Sequence, residues 1–214
     1  MEQILEKLFE SVLKVRLLRL FVRNVEEHFT LPEIVKKTQA IRGRQIRREL
    51  GKLLKLGVVK TKIEYFKEEI RKKSRLGGKT RKIIIKTKKA RVFYTNPEFK
   101  LLDEMRALIT RASVAPRGQL LPQIRGLGGV KLCVISGVFL NSENSRTDLL
   151  LVGDNIKKRR LDGFLAKIES EIGKSLRYTV MDTAEFKYRR DMYDRFLRDI
   201  MEYPHEKLVN KLHV

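Results

Sequence analysis

Apolar residues open the chain at three- and four-residue steps: Leu5, Leu8, Val12, Val15, Leu18 and Val22, with Glu and Lys between them. That period is the buried stripe of an amphipathic helix and predicts one long first helix. The segment Phe29-Thr30-Leu31-Pro32-Glu33-Ile34-Val35 follows. Thr30 is placed to cap a second helix and Pro32 fits its first turn, where a missing N–H costs nothing. This helix should end near Thr38. After a turn through Gln39 to Gly43, a third helix runs to about Leu56, with Ile46, Leu50, Leu53 and Leu54 on one face. Gly57 closes it, and the pattern changes to alternation in Val58–Tyr65, the mark of a strand. A second strand set, Ile83–Ile85 and Arg91–Tyr94, lies beyond a turn at Gly77-Gly78.

The second half reads differently. Phe99–Arg111 is a connecting helix with Leu102, Met105, Ala107, Leu108 and Ile109 available for packing, and Ala115-Pro116-Arg117-Gly118 is a linker. A short helix at Leu120–Arg125 precedes strands at Val130–Ile135 and Asp148–Gly153, a helix at Ile156–Ile172 and a third strand at Leu176–Met181. Asp182 can cap a helix beginning at Thr183, and helices are expected through most of 183–211. The expected class is α+β: a domain of three helices and a hairpin over 1–98, a connection over 99–118, and a small α/β domain with C-terminal helices over 119–214.

Charge then narrows the function. The chain of 214 residues carries 48 Lys and Arg against 26 Asp and Glu, a formal net charge of +22. Residues 1–100 hold 28 of those cations and 11 of the acids, a net +17. Self-repulsion at that density points to a polyanionic partner docking on the first half, nucleic acid before an anionic membrane surface. No apolar run approaches the ~20 residues a membrane span needs, and the N-terminus reads as an amphipathic helix, so a cytoplasmic protein is expected. The single cysteine, Cys133, sits in an apolar run and reads as a buried thiol. His28, His205 and His213 show no metal-ligand spacing, and neither a metal nor a cofactor is expected.

The third helix pairs its apolar face with a cationic one. Arg44, Arg48, Lys52 and Lys55 recur at about one turn, with Gln45 and Arg47 at the margin and Arg42 at the entrance. Arg suits guanine edges, Gln suits adenine edges and Lys suits phosphates, so this helix is the candidate reader of a major groove. The hairpin tip adds Arg71, Lys72, Lys73, Arg75, Lys79, Arg81 and Lys82, seven cations without an acid. Such a tip suits phosphates or a minor groove. Leu50-Gly51-Lys52-Leu53-Leu54-Lys55-Leu56-Gly57-Val58-Val59 and Phe93-Tyr94-Thr95-Asn96-Pro97-Glu98-Phe99 resemble the recognition-helix end and the wing exit of prokaryotic winged-helix regulators, over roughly residues 10–110. The resemblance implies a winged helix-turn-helix bound to double-stranded DNA.

Ser136-Gly137-Val138-Phe139, with Thr147-Asp148-Leu149-Leu150-Leu151-Val152-Gly153 after it, resembles the minimal nucleotidyltransferase domain of the polymerase β-like superfamily. Nearly the whole chain is similar to regulators that join a winged helix to such a domain. In that family a "G-S" turn holds nucleotide phosphates, and a "D-x-D" pair with a third carboxylate binds two Mg²⁺. Here Val138 replaces the serine, Arg146 stands where the first Asp belongs, and only Asp148 matches. Ser136, Gly137, Arg146 and Asp148 therefore mark a vestigial site, with no catalytic residue and no metal. Asp148 is expected to bond the Ser136–Val138 turn or to pair with Arg146. A phosphate pocket using Arg146 and Lys157-Lys158-Arg159-Arg160 in place of metals is the functional alternative. The expectation is a sequence-specific DNA-binding transcription regulator whose second domain serves ligand binding or oligomerisation, with a homodimer left open. Two alternatives stay open: a divergent Mg-dependent nucleotidyltransferase acting on RNA or a protein, and an antitoxin-like protein that binds a partner.

Overall fold

The computed structural model describes residues 2–40, 43–72, 82–112, 117–142 and 145–214, and only the backbone of 2–3, 68–72, 82–86 and 117–119. The first stripe does not make one helix but two, α1 at Glu2–Phe9 and α2 at Val12–Arg23. Glu10 between them adopts a left-handed φ of +53°. Ser11 then caps α2, its Oγ accepting the Lys14 amide at 3.2 Å. The stripe fails at the break, because Leu8 and Val12 are exposed. Instead α2 buries Leu17, Leu18, Leu20, Phe21 and Val22, more than one face of a helix, because it packs on both halves of the chain.

Local chemistry sets the next two helices. α3 runs Leu31–Thr38, and both the backbone N–H and the hydroxyl of Thr30 donate to Glu33 at 2.7 Å. This ties the chain entering the helix to its first turn. α3 ends at Gln39, in the left-handed region, and α4 follows at Gly43–Lys55 with Ile46, Leu50 and Leu53 buried. A two-residue strand, β1 at Phe29–Thr30, pairs with β3 at Lys82–Thr95, which pairs in turn with β2 at Val59–Lys72. The two long strands keep one antiparallel register from Val59↔Thr95 to Lys72↔Lys82 without a bulge. Fourteen residues each at ~3.3 Å per residue make an arm about 45 Å long. The strand set expected at Ile83–Ile85 and Arg91–Tyr94 is thus one continuous strand. Alternation fades between those runs because beyond the core neither face of the arm is buried, so apolar and polar residues need not take turns.

α5, Leu102–Ala112, returns to pack on α2, and Ile109 is its buried residue. Of the expected linker, Ala115 and Pro116 lie outside the described residues, while Arg117 and Gly118 begin α6, Arg117–Arg125. A four-stranded sheet of order β6-β5-β4-β7 follows, built from β4 (Gly129–Ser136), β5 (Leu149–Asp154), β6 (Tyr178–Met181) and β7 (His205–Asn210). Only β5 and β6 are parallel, joined through α7 at Lys158–Ile172. α8 (Thr183–Asp191) and α9 (Arg195–Glu202) cover the opposite face. The central strands β4 and β5 are apolar on both sides. Cys133, Leu149 and Leu151 pack with Phe164 and Ile168 of α7, whereas Leu132, Val134, Leu150 and Val152 pack with Phe186, Leu197 and Ile200. Burial pushes the Cys133 thiol up to about 12.

The strand β7 corrects the expectation of helix through 211. Pro204 stops α9, and 205–210 add an edge strand along β4 with a half-buried pattern. Six residues with Leu208 and Val209 adjacent carry too little period to announce a strand. Asp182 caps α8 as expected, accepting the Glu185 amide at 2.7 Å. No helix among the described residues is long and apolar enough to cross a membrane.

The two halves meet where α2 and α3 lie on α7. Arg19 donates from Nη1 to the Glu171 carbonyl at 2.7 Å, and Asn24 donates to the Gly173 carbonyl at 2.7 Å. Gly173 ends α7 at φ +80°, and a Cβ there would stand 2.5–2.7 Å from the backbone and Cβ of Arg19. Both the backbone conformation and the contact require glycine. Gly173→Ala should lower the unfolding free energy by about 2 kcal/mol or more, read as a lower urea midpoint at an unchanged slope.

At the far end of β5, Asp154 accepts from Lys131 Nζ at 2.8 Å and from the amide and hydroxyl of Thr183 at 3.1 and 2.9 Å. Lys131 first, then Thr183, hold its carboxyl down to about 2. An unfolded aspartate titrates near about 3.9. The carboxylate therefore contributes fully at neutral pH and loses its contribution as pH falls from about 4 to about 2. Asp154→Asn should lower the melting temperature at neutral pH, and the gap from the native chain should close near about pH 2.

Candidate functional site

The cationic face of α4 is built on a buried acid that the sequence pattern did not single out. Arg44, Gln45, Arg47, Arg48, Lys52 and Lys55 are all exposed. Beneath them Glu49 is only 3% exposed. Its Oε1 accepts from Lys52 Nζ at 2.8 Å and lies 3.4 Å from Arg48 Nε, while Oε2 has no hydrogen-bond partner. Burial raises the Glu49 pKa, but the Lys52 hydrogen bond and the charges of Lys52, Lys14 and Arg48 outweigh it, and the carboxyl stays below its ordinary range. Lys52 is thus partly engaged inside the protein. Arg48 keeps its side chain 72% exposed and projects from the same anchor. A glutamate among six polar helix residues gives no sequence signal of burial; its position on the apolar side, three residues after Ile46, is the hint available.

The arm joins this face. A groove of about 440 Å³ lies between α3, α4 and β3, and Arg47 of α4 and Arg91 of β3 both line it. Directly paired residues share a face of a ribbon and alternate residues repeat it. The pairs Ile63↔Arg91, Tyr65↔Lys89 and Lys67↔Thr87 therefore extend outward from the groove on one face. Arg91, Lys89 and Lys67 are exposed there, with Tyr65 among them. The base of the opposite face is neutralised. Glu64 accepts from Lys62 Nζ at 3.0 Å and lies 2.7 Å from His28 Nδ1, and Lys60 pairs with Glu98 at 2.6 Å. Arg91, Lys89 and Lys67 thus lie on the side that α4 shares, while Lys88, paired with Phe66, is exposed further out on the opposite face. Of the other predicted contacts, Arg71, Lys72 and Lys82 fall at the outer end of the paired strands. Arg42, Lys73, Arg75, Lys79 and Arg81 lie outside the described residues.

The second set, Ser136, Gly137, Arg146 and Asp148, is brought together only in part. Asp148 is 3% exposed. Its Oδ1 accepts the Val138 amide at 2.9 Å, and its Oδ2 accepts the Arg177 amide at 2.9 Å with Arg177 Nε at 3.4 Å. Gly137 sits at φ +54° directly over it, where a Cβ would stand 2.1 Å from Oδ1. Ser136 hydrogen bonds to the Thr147 carbonyl. Asp148 therefore bonds the turn, as one of the two expected roles required. The other role fails: Arg146 pairs with Asp199 of α9 at 2.6 Å. The substitute pocket fails as well, because Lys157–Arg160 lie past the far end of β5, about 20 Å of strand from Asp148. Arg160 is spent on the Gly126 carbonyl at 2.8 Å.

These residues do not fit a pair of divalent cations. The Asp148 oxygens are both occupied by N–H donors, and among the described residues no group of three His, Cys, Asp or Glu could hold a metal ion. Compared with protein-family models, curated proteins and solved structures, the chain matches none. Asp148→Asn keeps the shape but turns one acceptor into a donor facing an N–H. It should destabilise the chain by about 1–3 kcal/mol, measured by thermal unfolding, in a chain left without any added metal.

Proposed function

We propose that the chain is a duplex-DNA-binding transcription regulator, in which α3, α4 and the β2–β3 arm form a winged helix-turn-helix. α4 enters the major groove, with Arg44, Gln45, Arg47 and Arg48 toward base edges. Lys55 and the exposed row Arg91, Lys89 and Lys67 follow the phosphates outward along the arm. The observation that carries the reading is the shared groove: Arg47 and Arg91 line the same cavity, so helix and arm form one cationic surface. An arm of about 45 Å exceeds the ~34 Å of one DNA turn, so its tip reaches past the groove that α4 occupies. Glu49 draws Lys52 inward, which gives Lys52 a smaller part than its position on the helix suggests.

The second domain is, on this reading, a nucleotidyltransferase-like scaffold without metals, in which the aspartate of the family pattern serves as a staple. Three amide or guanidinium contacts to Asp148 support that assignment.

Binding to mixed duplex DNA, and to single- and double-stranded RNA of equal length, should favour the DNA duplex. Its affinity should fall with salt at about 0.9 log units per log unit for each phosphate contacted. On a selected site Arg48→Ala should cost about 1–3 kcal/mol and relax sequence preference, whereas Lys89→Ala should weaken every duplex alike. Preference for RNA, or equal losses for Arg48→Ala on all sequences, defeats the base-reading role of α4.

A further inference from the structure

α7 runs back along β5, so the chain after Ile172 returns to the end of the sheet where Asp148 lies. There Lys174, Ser175 and Arg177 meet α2 and α5 around a cleft of about 610 Å³, a size within the range of small-molecule sites. Its cations come from both halves of the chain: Arg23 from the end of α2, Arg106 from α5, and Lys174 and Arg177 from the loop before β6. Among the described lining residues the one acid is Asp148, and its oxygens are already held by two backbone amides and by Arg177.

Arg23 is the telling member. It is half-buried, and its Nε has no hydrogen-bond partner. Burial and the Arg19 charge one turn earlier bring its pKa down to about 10, so it remains a cation at neutral pH. A guanidinium withdrawn from water beside a second one costs stability unless an anion shares the space. The negative end of the α2 dipole favours a cation at this last turn, but it supplies no hydrogen-bond partner for the buried Nε.

We propose that this cleft binds a small phosphate-bearing molecule, held by Arg23, Arg106, Lys174 and Arg177. Guanidinium forks match phosphate oxygens two at a time, and Ser142 and Thr110 add neutral hydrogen-bonding groups at the wall. The ligand spans α2, α5 and the α7–β6 loop, so it bridges the two halves without a metal. The site lies apart from the α4–arm surface and stands or falls independently of DNA binding.

Calorimetric titration of inorganic tripolyphosphate into the full chain tests this, at about 0.15 M salt, where exposed charges are screened beyond ~8 Å. Saturable binding at one site per chain is expected. Arg106→Ala with Lys174→Ala should lower affinity by about tenfold or more. The charge-matched control, Lys158→Ala with Arg159→Ala at the exposed start of α7, should leave it unchanged. Arg23→Met should abolish binding while the free protein melts no lower than the native chain, which separates loss of a ligand contact from loss of fold. An equal loss in the control pair, absence of saturable binding, or a lower melting temperature for Arg23→Met with binding retained would each overturn the proposal. Displacement of tripolyphosphate by duplex DNA as strongly as by pyrophosphate would also overturn it, since the phosphates would then be those of nucleic acid.

Discussion

The structure depends on a buried guanidinium against a glycine. Arg19 is 1% exposed and hydrogen bonds to the Glu171 carbonyl near the end of α7, while Gly173 lets the α2 backbone come within contact of the turn that follows. A cation at a helix C-terminus meets the negative end of its dipole and one of its unpaired carbonyls. That satisfies part of the desolvation cost of an arginine in the interior. Because α2 is at once the centre of the first core and the element pressed on α7, its position sets both the base of the α4–arm surface and a wall of the cleft lined by Arg23, Arg106, Lys174 and Arg177. A contact separated by 152 residues closes late in chain synthesis, so the two halves are joined only after β4, β5 and α7 have been made.

Charge is managed differently in the two halves. Around α4 and the arm, acids are placed behind the exposed cations: Glu49 beneath Arg48 and Lys52, Glu64 on the opposite face of the ribbon, and Glu98, just past the end of β3, against Lys60. They lower local repulsion without covering the face that a polyanion would meet. In the second half the acids act within the fold. Asp148 staples a turn, Asp154 joins β5 to α8, and Asp199 holds Arg146. Carboxylates, glutamates in one half and aspartates in the other, are counterions in the first and fasteners in the second.

What the sequence disclosed follows from how local each feature is. The start of α3 was legible because Thr30, Pro32 and Glu33 do their work within one turn, and Asp182 likewise announced α8. β4 and β5 were legible because a central strand buried on both faces is a continuous apolar run. The break at Glu10 was not, since the stripe keeps its phase across the left-handed residue. β7 was not, since a six-residue edge strand has no period of its own. Of the Ser136–Asp148 cluster, the bond from Asp148 to the turn was one of the two roles expected, and the partner of Arg146 was not expected, because Asp199 lies 53 positions away. Arg23, Arg106 and Lys174 gave no signal at all. Each reads as an ordinary surface cation until three elements from distant parts of the chain bring them to one cleft.

The arm has one more physical consequence. Beyond β1, both of its strands are edges, each presenting a free row of amides and carbonyls, and Ile63, Tyr65 and Phe66 are exposed along it. A long ribbon of that kind is a template on which another chain would add a strand. Lys62, Lys67, Lys88, Lys89 and Arg91 are distributed over the described length, so two arms approaching edge to edge meet like charges at every few residues. The lysines that suit a polyanion are therefore also what keeps one molecule's sheet from growing into the next.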